Sequence, residues 1–161
     1  MKRAFIFDLD ETVIDSRHRT PNNPDGTLNL AAYMEKHTPE NVARDTLLPL
    51  SRVMLDLIAK GEKVIILTAR DMKACDYDFL EKHGLKTRFI YSRDKVKTKK
   101  HYRAGDGEYK TRWLSHIRGL KTFADSSLMM FDDAKPVKAA MRKAGVACLC
   151  AHKVNARLAT H

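Results

Sequence analysis

The amino-acid sequence predicts an α/β fold in which a parallel sheet carries helices on both faces. Three short apolar runs, at Phe5–Phe7, Val64–Leu67 and Leu128–Phe131, are each followed by a helix-like stretch. This alternation is typical of buried parallel strands joined by crossover helices. Polar residues follow each run, and the carboxyl ends of strands in open α/β sheets form the crevice that binds ligands. We therefore expect a Rossmann-like sheet with one site at its carboxyl edge.

Apolar spacing, glycine and proline predict the remaining elements. Turn residues crowd the segment from Pro21 to Gly26, so residues 15–46 are expected to form a flap or small cap inserted after the first strand. Gly61, Gly84 and Gly145 are expected to end the helices that precede them. The predicted helices cover 47–60, 72–82, 111–117 and 136–143, the other strands cover 87–91 and 146–150, and the tail 152–161 has no clear pattern.

Length and composition fit a single domain over residues 1–161. The 161 residues include 43% hydrophobic ones, and a chain of this size buries about 70% of its surface. Without an apolar stretch that could span a bilayer or a signal-peptide pattern, we expect a soluble, cytoplasmic protein with no membrane partner. The three cysteines lack zinc-ligand spacing and are expected to be reduced. The histidines are scattered, and His37, His83 and His161 are expected on the surface.

Asp8 and Asp10 are the first candidate catalytic residues, because they follow the first strand with one residue between them. If the strand continues, both carboxylates point the same way and can share a divalent cation. Taken singly, such residues also fit helix caps or solvated charges. Taken together, clustered carboxylates at a sheet crevice require a cation. The other candidates for this crevice are Thr68, Lys110, Asp132 and Asp133.

These residues, in this order, resemble the four motifs of the haloacid dehalogenase-like phosphohydrolase superfamily. The resemblance implies that Asp8 is the nucleophile of an aspartyl-phosphate intermediate and that Asp10 is the acid and base. The dehalogenase and phosphonatase branches lack a carboxylate at the position of Asp10, so its presence favours a phosphatase. Mg²⁺ is the implied cofactor because the ligands are hard oxygens. Its implied ligands are Asp8, the main-chain carbonyl of Asp10, and Asp132. The Thr68 hydroxyl would bind a phosphoryl oxygen, and Lys110 would offset the negative charge around the nucleophile. Asp133 would orient Asp132, a water molecule or Lys110.

A closer resemblance is to the 3′-phosphatase domain of polynucleotide kinase/phosphatases. The matching features are an arginine after the first motif, the Thr-x-Arg sequence and an acid four residues before the lysine. The resemblance implies roles in substrate binding or support for Arg19, with Arg17 as its neighbour, and for Arg70 and Asp106. The chain departs from the family pattern at Glu11, where glycine is usual, and at Thr68, where serine is common. No Walker A sequence occurs, so we expect a free-standing phosphatase, and whether it has a separate kinase partner stays open.

Positive charge is concentrated in one stretch of the chain. Between Lys86 and Lys121 there are twelve cationic residues and three acidic ones, in a chain of formal net charge +10. The resemblance and this charge together predict hydrolysis of 3′-phosphates at nucleic-acid ends, with residues 93–103 contacting the backbone. A solvated basic loop without a ligand explains the same charge. Two alternatives stay open: a phosphatase of nucleotides or other small phosphomonoesters, and a basic nucleic-acid-binding module without catalysis.

Overall fold

Seven strands and eight helices form within residues 2–160, the part of the chain that the computed structural model describes. The strands are β1 (Lys2–Phe7), β2 (Ile14–Asp15), β3 (Thr46–Leu47), β4 (Lys63–Leu67), β5 (Phe89–Tyr91), β6 (Ser126–Asp132) and β7 (Ala147–Cys150). The helices are α1 (Leu30–Glu35), α2 (Pro39–Ala43), α3 (Leu50–Ala59), α4 (Ala74–Lys82), α5 (Lys99–Arg103), α6 (Asp106–Gly119), α7 (Lys135–Lys143) and α8 (Ala151–Ala159). Single 3-10 turns lie at Arg17–Arg19, Arg93–Lys95 and Lys121–Phe123.

Strand β1 lies in the middle of a five-stranded parallel sheet of order β5-β4-β1-β6-β7. Its last residue, Phe7, pairs with Ile66 of β4 and with Phe131 of β6. The carboxyl ends of the three central strands therefore lie side by side, which brings the polar residues that follow them to one edge. The predicted α/β fold with a parallel sheet is confirmed.

Alternate residues of the strands pack into two apolar cores, one on each face of the sheet. Phe7 and Ile66 point into the core that α3, α4 and α8 cover. Ile6 and Ile65 point into the opposite core, which α6 and α7 cover. A strand that is buried on both faces has a continuous run of apolar residues. The sequence pattern therefore does not show which residues point to which face of the sheet.

Several elements differ from the sequence-based expectation, and two of the differences concern residues close to the site. Helix α6 begins at Asp106, with its first turn built from polar residues, so Lys110 lies within the helix rather than before it. Helix α8 occupies the tail for which no pattern was predicted. It is held by tertiary contacts, since Val154 and Leu158 pack against the core and Asn155 is buried.

The segment between β1 and α3 holds β2, α1, α2 and β3, and β2 pairs antiparallel with β3. This insertion is where a flap was predicted, and its action as a flap stays a prediction. The surface position expected for His37 is wrong, because the side chain is buried against the carboxylate of Asp76. His83 is half-buried, and His161 lies outside the described residues. Within residues 2–160, no helix has the length and apolar character needed to cross a membrane.

Candidate active site

A buried lysine joins two carboxylates at the carboxyl edge of the sheet. Asp8 follows β1, Asp132 ends β6 and Lys110 reaches them from α6. The Lys110 Nζ lies 2.9 Å from Asp8 Oδ1 and 2.6 Å from Asp132 Oδ2. Asp132 Oδ1 also accepts a hydrogen bond of 2.8 Å from the Ala134 backbone N–H, which fixes its orientation. All three charged side chains are at least nine-tenths buried.

Asp133 adds a third carboxylate to this cluster. Oxygen atoms of Asp8, Asp132 and Asp133 lie within 4.8 Å of one another. Burial, followed by the charge of Asp132, raises the pKa of Asp8 well above its usual range and also raises the pKa of Asp133. Burial opposes the charge of Lys110, but Asp8 and Asp132 outweigh it and raise the pKa of the lysine. The lysine therefore stays cationic.

The charge of this cluster fits a divalent cation. When the three carboxylates are ionised, the single lysine leaves two negative charges without compensation. Carboxylate oxygens at this spacing are the hard ligands that Mg²⁺ prefers, and a site with a few protein oxygens leaves positions for water and phosphate. Asp8, Asp132 and Asp133 thus fit a magnesium site, with Asp133 as a possible direct ligand in addition to the orienting role expected for it.

Asp10 is bound by a different cation from the one that contacts Asp8. Strand β1 ends at Phe7, so the strand geometry that would align Asp8 with Asp10 does not continue. The Asp10 carboxylate accepts hydrogen bonds from Arg70 Nη2 at 2.6 Å, Arg70 Nε at 3.2 Å and Ser16 Oγ at 2.7 Å. Burial favours the neutral acid, yet Arg70 and Ser16 lower the pKa of Asp10 to about 2.

Arg70 is the centre of a buried ion network that joins Asp10, at the carboxyl edge of the sheet, to the insertion between β1 and α3. Its Nη1 donates to Asp76 Oδ1 at 2.7 Å, and its Nη2 lies 3.8 Å from Asp45 Oδ2. Asp76 also accepts a hydrogen bond from the Lys73 backbone N–H and lies 2.7 Å from the His37 Nε2. Two of these residues, His37 and Asp45, belong to the insertion, so buried charges attach it to the sheet.

Arg19 lies in the same network and has one free donor. Its Nε and Nη2 donate to Asp45 at 2.9 and 2.8 Å, and its guanidinium lies 5.7 Å from the centre of the Tyr33 ring. Its Nη1 is buried and has no hydrogen-bond partner among residues 2–160. A buried N–H without a partner is costly, so this atom is suited to an incoming anion or a water molecule.

The remaining predicted residues lie in different surroundings. Thr68 follows β4, and its buried hydroxyl accepts a hydrogen bond from the Arg70 backbone N–H, which leaves its own proton free to donate. Arg17 is 73% exposed and pairs with Asp15. Asp106 is 56% exposed and lies 3.4 Å from Arg93, outside both buried groups. The structure thus brings Thr68 to the crevice but leaves Arg17 and Asp106 at the surface.

Sequence reasoning missed several residues of the ion network. Asp76 is the third residue of α4, a position where an acidic residue commonly caps the helix. From the sequence alone, capping is therefore a sufficient explanation for an acid there. His37 and Asp45 lie in a turn-rich segment without periodicity, and Ser16 precedes a 3-10 turn. His37, Asp45 and Asp76 have partners that are more than twenty residues away, and no local pattern marks such a pairing.

The fold is shared with solved structures of haloacid dehalogenase-like hydrolases. A hydrolase of the haloacid dehalogenase-like family from Streptococcus pneumoniae superposes with a TM-score of 0.66 at 14% identity, covering 92% of this chain and 84% of that one. A haloacid dehalogenase-superfamily hydrolase from Geobacter sulfurreducens gives a TM-score of 0.64 at 13% identity over 93% and 89% of the two chains. At these identities the likeness establishes the fold.

The chain belongs to the family described as bacteriophage T5 5′-deoxynucleotidase, whose model matches residues 1–161. The 5′-deoxynucleotidase of Escherichia phage T5 is 33% identical over 171 aligned residues, which cover 96% of this chain and 69% of the relative. The prediction of a phosphoric monoester hydrolase is confirmed, and the alternative of a binding module without catalysis is set aside. Of the substrate hypotheses, the nucleotidase alternative agrees with the relatives better than the 3′-phosphatase of nucleic-acid ends.

Proposed function

We propose that the protein is a magnesium-dependent phosphatase of nucleoside 5′-monophosphates, acting on the deoxy series. The observation that carries this proposal is the buried cluster of Asp8, Asp132, Asp133 and Lys110, which has two uncompensated negative charges when its three carboxylates are ionised. Membership of a 5′-deoxynucleotidase family over the whole chain supports the choice of substrate.

Asp8 is the proposed nucleophile. Its Oδ2 is not engaged by Lys110, whose Nζ contacts Oδ1. Attack on the phosphorus atom would form an Asp8–phosphate bond and break the bond to the 5′ oxygen, which divides one difficult displacement into two easier ones. The Thr68 hydroxyl is free to donate to a phosphoryl oxygen, and Lys110 offsets the charge beside the nucleophile. Bound Mg²⁺ would supply positive charge to the phosphoryl oxygens.

Asp10 is the proposed acid and base. It would protonate the departing 5′ alkoxide and then accept a proton from the water that cleaves the aspartyl phosphate. Arg70 keeps Asp10 ionised when no substrate is bound, because it lowers the pKa of Asp10 to about 2. A dianionic phosphate near Arg70 would compete for the guanidinium, weaken its bonds to Asp10 and return the carboxyl toward a range in which it donates a proton. We therefore propose that Arg70 and Arg19 contact the substrate phosphate, and that the contact with Arg70 raises the pKa of Asp10.

The deciding experiment measures phosphate release from a panel of substrates in the presence of Mg²⁺. The panel contains 5′-dAMP, 5′-AMP, 3′-dAMP and oligonucleotides phosphorylated at either the 3′ or the 5′ end. Release should be fastest from 5′-dAMP. Asp8→Asn should lower kcat by about four orders of magnitude, the scale seen when a nucleophile is removed, whereas Asp125→Asn, at an exposed acid, should match the wild type. Equal rates in Asp8→Asn and the wild type would refute the proposed nucleophile.

A second candidate function is hydrolysis of 3′-phosphates at nucleic-acid ends. It is supported by the Thr68-x-Arg70 sequence, by the buried Arg19 and by the exposed basic residues between Arg93 and Arg103. On the same panel, this function would give the fastest release from the 3′-phosphorylated oligonucleotide. A preference for that substrate over 5′-dAMP would replace the mononucleotide proposal and leave the assignment of Asp8 intact.

A further inference from the structure

A small pocket outside the catalytic cluster combines an aromatic ring with several cations. It has a volume of about 210 Å³ and lies between the residues that lead into α5 and one side of α6. None of the residues around it belongs to the catalytic cluster or to the ion network of Arg70. The pocket, named here the Trp113 pocket, is lined by Lys97, Thr98, His101, Arg112, Trp113 and His116.

The indole of Trp113 is held in a fixed orientation. Its Nε1 donates to the Tyr109 hydroxyl at 3.2 Å. Its ring centre lies 5.0 Å from that of Tyr91, 5.1 Å from that of His101 and 5.5 Å from that of His116. The side chain is only half-buried. Part of an ordered aromatic surface therefore remains accessible, and binding would not have to order it.

The cations around the ring are available to an anion. Lys97 is exposed and makes no ion pair or hydrogen bond within residues 2–160, and Lys99 and Lys100 are exposed beside it. Arg112 pairs with Glu108 one helical turn away, at 3.0 Å. Such exposed pairs contribute little, so a phosphate can compete for the guanidinium. Aromatic surface next to unpaired cations is the combination that binds a nucleobase together with its phosphate.

We propose that the Trp113 pocket binds a nucleotide unit, with the base against Trp113 and the phosphate near Lys97 and Arg112. The unit comes either from a free mononucleotide or from a single-stranded nucleic acid whose backbone continues along the basic residues 93–103. This site is additional to the phosphatase centre. It does not depend on the identity of the hydrolysed substrate, so it can be tested with hydrolysis switched off.

Trp113 is the chain's one tryptophan, so its fluorescence reports on this pocket. The protein is titrated in EDTA, where hydrolysis stops, with four probes: dAMP, deoxyadenosine, inorganic phosphate and an oligodeoxyadenylate without terminal phosphates. Quenching by dAMP or the oligonucleotide at lower concentrations than by deoxyadenosine or phosphate is the expected result. Line broadening of the adenine proton signals in NMR provides a second readout that does not depend on the tryptophan.

Lys97 is exposed and Arg112 is half-buried at the surface, so substitutions there test binding with little effect on folding. Lys97→Ala and Arg112→Ala should each weaken binding about fivefold, close to 1 kcal/mol, whereas Lys143→Ala, which removes an exposed cation outside the pocket, should not. Tighter binding of the oligonucleotide with a steep salt dependence identifies a nucleic-acid strand, and equal binding of dAMP identifies a free nucleotide. The proposal is overturned by binding that is unchanged in Lys97→Ala and Arg112→Ala, by phosphate acting as well as dAMP, or by no change in either readout.

Discussion

At the scale of single residues, the carboxylate of Asp8 is buried beside that of Asp132, and Lys110 offsets only one of the two charges. The folded-state pKa of Asp8 is raised above its ordinary value, first by burial and then by Asp132. A carboxyl with a raised folded pKa stabilises the protein while it is protonated, and this stability is lost as pH rises from the unfolded value through the folded value. Without metal, Asp8 therefore makes the fold less stable at neutral pH than at acid pH.

From this charge we predict opposite effects of Asp8→Asn on stability and on activity. In EDTA at neutral pH, the variant should gain about 1 kcal/mol in free energy of unfolding, because it removes an unfavourable charge. Adding Mg²⁺ should then stabilise the wild type more than the variant. Urea unfolding with and without Mg²⁺ measures both effects, with Asp125→Asn as the control. A variant less stable than the wild type in EDTA would contradict the prediction.

Glu11 has the backbone conformation that glycine adopts most easily. Its φ is 60°, the one positive value at a residue other than glycine within residues 2–160. A left-handed conformation costs an L-residue about 1 kcal/mol, which explains why the resembling family usually has glycine there. The Glu11 carboxylate offsets part of this cost, since its Oε1 accepts a hydrogen bond of 3.2 Å from the Ser16 backbone N–H.

Comparison of Glu11→Gly with Glu11→Ala isolates the backbone cost. Both variants lose the carboxylate and its bond to Ser16, and only glycine relieves the positive φ. Glu11→Gly should therefore be more stable than Glu11→Ala by about 1 kcal/mol. Thermal or urea unfolding measures the difference. Equal stabilities would show that the loop relaxes to a negative φ in the alanine variant.

At the scale of elements, the insertion is attached to α4 through His37 and Asp76. The His37 Nε2 lies 2.7 Å from Asp76 Oδ2, and Asp76 Oδ1 accepts the hydrogen bond from Arg70 that helps to orient the guanidinium toward Asp10. The side chains of His37 and Asp76 are almost completely buried. A substitution of His37 should therefore alter the orientation of Arg70 beside Asp10, although His37 contacts none of the proposed catalytic groups.

We predict that His37→Ala weakens both folding and catalysis. The free energy of unfolding should fall by about 2 kcal/mol, because a buried carboxylate loses a partner. The value of kcat/KM should fall about tenfold, the usual effect of losing a group that orients an active-site residue. His152→Ala, at an exposed histidine of α8, is the control. Normal kcat/KM in a destabilised His37→Ala variant would limit the network to a structural role.

The sequence predicted the elements whose signals are local. The apolar runs at β1, β4 and β6 and the glycines after α3, α4 and α7 predicted the sheet and most helices, because burial on both faces selects apolar strands. It also predicted that the residues after those strands would converge, since parallel strands present their carboxyl ends at one edge. The five-residue error at the start of α6 arose because its first three residues, Asp106, Gly107 and Glu108, are charged or small and show no apolar periodicity.

What the sequence could not provide is the partition of the site into two charged groups. Asp8 and Asp10 are two residues apart, yet Lys110 holds one and Arg70 holds the other. The spacing alone predicted that the two carboxylates point the same way, and a cation shared by the two residues stays a prediction. The position of the Asp10 side chain depends on where β1 stops and on the partners of the turn that follows. One partner, Ser16, is six residues away, and the other, Arg70, is sixty residues away.

At the scale of the whole molecule, the last helix ties together three segments that are far apart in the sequence. Asn155 of α8 donates from its Nδ2 to the Thr12 carbonyl at 2.9 Å, and its Oδ1 accepts from the Leu50 backbone N–H at 2.8 Å. Thr12 lies in the turn that follows Asp10, and Leu50 is the first residue of α3. The C-terminal segment thus supports the turn that carries a proposed catalytic residue.

Substitution of Asn155 should therefore destabilise the whole fold in two separable steps. Asn155→Ala leaves both the Leu50 N–H and the Thr12 carbonyl without partners, and the free energy of unfolding should fall by about 2 kcal/mol. Asn155→Asp keeps an acceptor for Leu50, and at acid pH its protonated carboxyl can also donate to Thr12, so its loss there should be smaller than that of Asn155→Ala. Lys153→Ala, at an exposed position of the same helix, should change little. Urea unfolding measures all three, and an Asn155→Ala variant as stable as Lys153→Ala would show that α8 is held by its apolar contacts alone.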